Sequence, residues 1–377
     1  MKGLAVTVLS MLAFASCASA LGPCFSREQP TLREEAANAK VIVYGTIANA
    51  KRIGDGGTTD LIVSRVLKSD PAAAGKKVIQ IDRYIEIPTD PDNPRTYLVY
   101  GDVEEGQVDF YRGEAVGPAV ADYLAKSLAT NINKDHVSLL KHCAKHFEHE
   151  EPIVAGDAVA EFQRAADADV RTACRAIDPD RLRRFLHDKD ISHSRLGLYA
   201  MLLAHDGNRS DAVLIRDWLD KLADGSSSLE FLFTAYTLLD PVAGWAYTCN
   251  LIQNPKTEFM VRYSGLRAAR YFQNTRPDVL SVDDRVKALR ISLRHADMAD
   301  LAIDDLRRWQ HWKLTNEVLS ITEQKGFDLA IIRRAQVKYA IQCPDEKAVQ
   351  FVATMCATDP VGLREIRELL DAELSGK

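Results

Sequence analysis

The chain has 377 residues, long enough for two or three domains, and its 48 Lys and Arg against 53 Asp and Glu give a formal net charge of -5. Hydrophobic residues make up 46% and charged residues 27%, the mix of an ordinary globular protein. The basic surplus that binding to a phosphate backbone requires is missing, so no nucleic-acid partner is expected.

The first twenty residues have the layout of a secretory signal peptide. Met1 and Lys2 give a positive start, Leu4 to Phe14 is almost unbroken apolar sequence, and Ala18-Ser19-Ala20 is a small-x-small cleavage site. The apolar run is shorter than the roughly 20 residues that span a bilayer, and no later run is long and apolar enough to do so. The mature chain is expected to begin near Leu21 and to be secreted or periplasmic. Phe14-Ala15-Ser16-Cys17 loosely resembles a bacterial lipobox, so the alternative is a lipid anchor at Cys17. Cys24, Cys143, Cys174, Cys249, Cys343 and Cys356 remain, scattered and without a C-x-x-C pair, which leaves no zinc-ribbon or c-type haem motif. Most sit in apolar helical surroundings, where a thiol acts as a small hydrophobe. Cys343 and Cys356 are the one local pair worth testing for a disulfide.

Gln29 to Lys40 reads as a short helix, with Thr31 and Glu34 as a capping box. Five β-rich stretches follow: Lys40 to Ile47, Thr58 to Lys68, Lys76 to Tyr84, Thr96 to Tyr100, and Gln107 to Tyr111. Gly54-Asp55-Gly56-Gly57 joins two strands and so reads as a hairpin tip, not a phosphate cradle. Five short strands suggest a small closed or half-closed sheet, because closure removes bare edges.

From Gly113 to Pro118 the texture changes, and beyond it amphipathic helices of roughly 10–16 residues alternate with short breaks, often Asp-Pro. Val137, Leu140, Ala144 and Phe147 form one apolar stripe, Leu198, Tyr199, Leu202 and Leu203 another, and Met298, Ala302, Leu306 and Trp309 a third. Asp304, Asp305, Arg307 and Arg308 fall on the surface facing away from the third stripe. Small residues recur in segments around Gly156, Gly197 and Gly265, at a spacing that drifts around ~40 residues.

Paired amphipathic helices, Asp-Pro starts and small residues in second helices make the C-terminal part similar to HEAT-like α-solenoids. The early Cys24, the helix before the first strand, and the strands Val41 to Ile47 and Thr96 to Tyr100 make the N-terminal part resemble an OB-type barrel of the netrin-like kind, which includes tissue inhibitors of metalloproteinases. Together they resemble exported bacterial proteins joining a β-module to a helical array. The implied fold is α+β in two domains: a signal peptide at 1–20, a small five-stranded OB-like β-barrel at 21–113, and a HEAT-like all-α helical-repeat domain at 114–377. The inhibitor resemblance implies a protease-binding β-module. It departs from that family in placing Cys24 inside the mature terminus, with no second cysteine before Cys143.

Two clusters carry chemistry. His142 and His146 lie four apart, so a helix puts both imidazoles on one face, with His149 roughly in line; together they are the candidate metal ligands. In a continuous helix His142 and His149 stand roughly 10 Å apart along the axis, and this face opposes the Val137 stripe. The plainer reading is therefore a solvent-facing helix end whose histidines meet the helix dipole. Arg307, Arg308 and Trp312, extended by Arg333 and Arg334 in the next helix, mix basic and aromatic groups as an anionic contact surface does, although tryptophans at a helix junction also serve as packing. The His187, Asp188, Asp190 and His193 loop lacks calcium-loop spacing and reads as a capping turn before a helix begun by Ser192 or Ser194. No G-x-S-x-G, H-E-x-x-H or Walker motif is present. The expected function is a non-enzymatic interaction or scaffold protein that meets an extracytoplasmic protein partner through a helical surface, with no catalytic residues and no cofactor. The alternatives are a protease-inhibitor-like binder and a metal protein or metal-dependent enzyme centred on His142 and His146.

Overall fold

The computed structural model describes residues 30–87, 95–129, 135–222 and 226–375. The signal peptide expected at 1–20, with Cys17, and Cys24 lie outside the described residues. Helix α1 spans Leu32–Asn38, shorter than its sequence signal, and its capping box is formed. The Thr31 hydroxyl accepts from the Glu34 amide at 3.2 Å, and the Glu34 carboxylate accepts from the Thr31 amide at 3.0 Å.

Five strands follow: β1 (Val41–Ile53), β2 (Gly56–Lys68), β3 (Val78–Ile81), β4 (Thr96–Glu104) and β5 (Gln107–Ala115). All pairings are antiparallel, in the order β3-β2-β1-β4-β5. Ile53 pairs with Gly56 across a two-residue tip, where Gly54 has φ 56°, so the expected hairpin is formed. The expected barrel is not. The sheet is open, with β3 and β5 at opposite edges. Its edges are managed differently: β3 is only four residues long, and β5 carries Asp109, Arg112 and Glu114. Short and charged edges resist further pairing without closure.

The apolar run Val41-Ile42-Val43-Tyr44 is continuous because both sheet faces are covered. Ile42, Tyr44, Leu98 and Tyr100 point into a core shared with α1 and the following helices. Val41, Val43, Leu61, Ile79, Val99 and Phe110 form a second core on the other face, joined by Ala73. Register shifts at Ile42/Val43, Tyr44/Gly45 and Ala48/Lys51 interrupt the β1–β2 ladder, as bulges that bend a strand do.

The change of texture falls between Ala115 and Pro118. Then come α2 (Pro118–Ala129), α3 (His136–Ala144), α4 (Pro152–Arg164), α5 (Asp167–Cys174), α6 (Pro179–His187), α7 (His193–Asp206), α8 (Asp211–Lys221), α9 (Leu229–Leu239) and α10 (Pro241–Gln253). They continue as α11 (Phe259–Asn274), α12 (Val282–Ser292), α13 (Ala299–Arg308), α14 (Thr315–Leu319), α15 (Ala330–Gln342), α16 (Glu346–Thr358) and α17 (Pro360–Leu374). Among the described residues no helix is long and apolar enough to cross a membrane.

Helices touch their next-but-one neighbours. On one side α3 meets α5, α5 meets α7, α7 meets α9, and α9 meets α11; further on α13 meets α15, and α15 meets α17. On the other, α2 meets α4, α10 meets α12, and α14 meets α16. Three core clusters fill the space between: the sheet-linked one runs as far as Val261 and Ala268 of α11, a second runs from Leu266 to Ala348, and a third, with Trp245, Ile252, Phe272 and Ile291, lies among α10, α11 and α12. Glycines permit the closest approaches. A Cβ at Gly197 would lie 3.0 Å from the Phe231 ring, one at Gly265 2.9 Å from Ile252, and one at Gly244 2.6 Å from the Thr237 backbone. Gly156 meets nothing within 4 Å. Cys143, Cys174, Cys249 and Cys343 are buried free thiols, and Cys356 is an exposed one, so Cys343 and Cys356 are not bridged.

A polar ladder runs along the late helices with a constant offset. Arg262 donates to Asp297, Arg270 to Asp305, Arg307 to Gln342, and Lys338 to Glu373, each across 35 residues. The last three link α11, α13, α15 and α17 in succession. Asp305 and Arg307 are therefore buried between helices, at 4% and 3% exposure, not displayed on the outward face that the sequence pattern suggested.

Candidate functional site

The ends of α13, α15 and α17 border a cleft of about 760 Å³, lined by Arg307, Arg308, Gln310, Trp312, Gln342, Pro344, Glu373 and Leu374. Arg307, Arg308 and Trp312 thus meet where the sequence groups them. The Arg307 guanidinium donates to Asp304 at 2.7 Å, to Gln342 at 2.8 Å and to Glu373 at 2.6 Å. Arg308 donates to Glu373 at 3.1 Å and pairs with Asp304 at 2.8 Å. Lys338 donates to the other Glu373 oxygen at 3.1 Å. Partial burial raises the Glu373 carboxyl, but the hydrogen bonds and charges of Arg307 and Lys338 together outweigh it and hold the group below its usual range. Trp312 packs edge-on against Tyr339, with centroids 5.0 Å apart, and forms part of the apolar wall.

Arg333 and Arg334 are exposed and do not line this cleft. Arg333 pairs with Asp328 in the preceding loop. Arg334 shares the α15 face of Lys338 and Gln342 by its spacing of four and eight residues, so it continues the basic ridge one turn away. Lys338, Gln342, Pro344, Glu373 and Leu374 are the cleft residues that sequence reasoning passes over. The 35-residue offset between Lys338 and Glu373 is the signal that links two of them.

The histidines are arranged differently from a continuous helical face. Helix α3 ends at Ala144, so His146 and His149 lie in the turns after it. His142 stacks on the Tyr123 ring of α2 at 5.5 Å; His146 meets His142 edge-on at 4.8 Å, and His149 follows at 5.6 Å. The face expected to look into solvent is thus covered by Tyr123. His149 Nδ1 accepts from the Glu151 amide at 3.0 Å, which occupies that lone pair. Burial, then the neighbouring His142 and His149, push His146 down to about 4, and burial lowers His142 as well. Neutral rings stack without like-charge repulsion. Among the described residues no group of three or more His, Cys, Asp or Glu side chains is arranged to hold a metal ion. Nearby, burial pushes the Cys143 thiol up to about 12, so it is not a thiolate at neutral pH.

A third polar cluster joins residues far apart in sequence. The Tyr271 hydroxyl of α11 donates to Asp167 Oδ1 of α5 at 2.7 Å. His205 Nε2, at the end of α7, stands 3.6 Å from the same oxygen, and its side chain is 1% exposed. Burial pushes His205 down to about 4 against the pull of Asp167. Nothing local in the sequence marks this group, because Asp167 and Tyr271 are 104 residues apart.

The His187 to His193 loop is a capping turn: Asp188 accepts from the Asp190 amide at 3.0 Å, and α7 starts at His193 after Ser192. A shallow cleft of about 510 Å³ lies beside it, lined in part by Asp188, Asp190 and Arg195. No protein-family model matches the chain, and no curated protein or solved structure is significantly similar to it, so its functional reading rests on these residues.

Proposed function

We propose that the chain is an exported, non-enzymatic interaction protein that meets a protein partner through the surface of a HEAT-like helical array at 114–377, with 21–113 as an appended β-module. The observation that carries this reading is the ladder of contacts 35 residues apart that links α11, α13, α15 and α17. Next-but-one helix contacts and close approaches at Gly197 and Gly265 support the same reading. Stacked helix pairs expose a long continuous surface, which repeat proteins use for binding. The signal-peptide pattern at Met1 to Ala20 supports export. The partner is a protein outside the cytoplasm, and no cofactor is invoked.

Photo-crosslinking in the exporting cell tests this. A benzophenone side chain placed at Arg334, Val349 or, on the sheet edge, Tyr111 samples both regions. A single adduct of discrete mass from the α15 or α16 position, with none from Tyr111, is the expected result. An adduct from Tyr111 alone would shift binding to the β-module and overturn the reading.

A further inference from the structure

Three cations converge on one carboxylate at the very end of the last helix. Arg307 and Arg308 grip Glu373 Oε1 at 2.6 and 3.1 Å, and Lys338 grips Oε2 at 3.1 Å. Arg307 is 2% exposed at its side chain and keeps Asp304 and Gln342 as further partners. Arg308 keeps Asp304. The two arginines are therefore held in place by contacts that do not depend on Glu373, whereas Lys338 is paired with Glu373 itself. With Glu373 withdrawn, Lys338 would lose its carboxylate partner and Arg307 and Arg308 would share Asp304, leaving a cationic excess that attracts an anion.

Helix α17, which supplies Glu373, is the more weakly seated part. It buries only Leu363 and Leu370 and packs against α15 and α16. Its next residue, Leu374, is 64% exposed and borders the same cleft beside Trp312 and Pro344. The chain thus lays an acidic residue followed by an apolar one across its own cationic cleft.

We propose that Glu373 is an internal stand-in for a partner's carboxylate: the cleft formed by Arg307, Arg308, Lys338 and Trp312 is a binding site for an acidic peptide whose glutamate or aspartate precedes an apolar residue, and the end of α17 masks it until displaced. This rests on the interaction-protein reading and gives its surface a place and a ligand class. An acidic peptide fits better than a small free carboxylate, because the apolar wall of Trp312 and Pro344 stands next to the cations and would be left uncovered by the latter.

The probe is a fluorescein-labelled, end-blocked peptide, aspartate-alanine-glutamate-leucine, titrated by anisotropy against the full chain. Glu373→Ala is expected to bind it at least about tenfold more tightly than wild type, the scale of one lost charge-assisted competitor. Glu373→Gln, which keeps the side-chain length, is expected to move in the same direction and guards against a folding defect in the first variant. Adding Arg308→Ala and Lys338→Ala to Glu373→Ala is expected to abolish the gain, and a peptide with glutamine replacing glutamate, or free acetate as competitor, is expected to show no comparable binding. Equal affinity of wild type and both Glu373 variants, including no binding by any of them, would overturn the proposal, as would undiminished binding by the triple variant. A helical-surface crosslink that persists in Arg308→Ala/Lys338→Ala would leave the scaffold reading standing while removing this cleft from it.

Discussion

The hydroxyl of Tyr271 donates to Asp167 Oδ1 at 2.7 Å, tying α11 back to α5 across 104 residues. Helices α7 and α9 lie between them in the run of next-but-one contacts, so this bond reaches past two intervening helices. Tyr271→Phe removes the donor and leaves Oδ1 beside His205 at 3.6 Å, while Arg171 still pairs with the other oxygen at 3.0 Å. Loss of about 1–3 kcal/mol is expected, the range for a buried acceptor left unsatisfied. Urea denaturation of the two proteins measures it, and an unchanged midpoint would show that this bond adds nothing to the stability of the fold.

His205 gives that cluster a pH signature. Its folded-state value near 4 lies below the ordinary histidine value near 6.5, so between the two the unfolded chain binds the extra proton. The neutral ring's contribution is fully present above about pH 6.5 and is lost as pH falls toward 4. Burial pushes Asp157 the other way, to about 6, and its protonation in the fold partly offsets the loss. The comparison must therefore be differential. Relative to His205→Gln, wild type should lose about 2 kcal/mol between pH 7.5 and pH 5. A gap that stays constant with pH would contradict the burial of His205.

Arg267 and Glu230 pair at 2.8 Å between α11 and α9, with side chains 12% and 7% exposed. Burial pushes the Glu230 carboxyl up to about 7, and Arg267→Ala leaves it only the charge of Arg270, so a cost of up to about 3–5 kcal/mol is expected. Arg267→Met with Glu230→Leu replaces both charges by apolar volume and should recover most of the loss. Thermal melting of the single and double variants separates the two, and a double variant as unstable as the single one would mean that packing, not the stranded charge, sets the cost.

Two helical glycines should answer alanine in opposite ways. At Gly244 a new Cβ would stand 2.6 Å from the Thr237 backbone, so α9 and α10 must move apart. At exposed Gly156 nothing lies within 4 Å, and alanine gains about 0.5–1 kcal/mol of helix preference. Gly244→Ala should therefore lower the melting temperature and Gly156→Ala raise it slightly. Equal shifts at the two positions would contradict the close packing of that helical hairpin.

Much of the architecture is readable from local pattern. The Thr31–Glu34 capping box and the Gly54-Asp55 hairpin tip each depend on neighbours within a few residues, and each is formed; the apolar stripe residues Leu140, Leu202 and Leu306 are buried, but α7 is buried all round rather than on one face. Barrel closure is not local: it turns on whether β3 reaches β5, and the edge chemistry of β5 makes that pairing unnecessary. The sequence groups Arg307, Arg308 and Trp312 because they are adjacent in the chain. It hides Glu373, because an acid near a C-terminal helix end is ordinary until Lys338 and Arg307 are seen around it. His142, His146 and His149 do come together in a row, but the last two reach it from beyond Ala144, where the helix stops, which their spacing alone does not show.

Hydrogen–deuterium exchange of the full chain, alone and bound to its captured partner, is the sharpest test of binding through the helical array. Slowed exchange in peptides covering Ala299–Arg308, Ala330–Gln342 and the α16–α17 hairpin, with the sheet unchanged, is the predicted result. Slowing confined to β1–β5, or to the turns that carry His146 and His149, would contradict it.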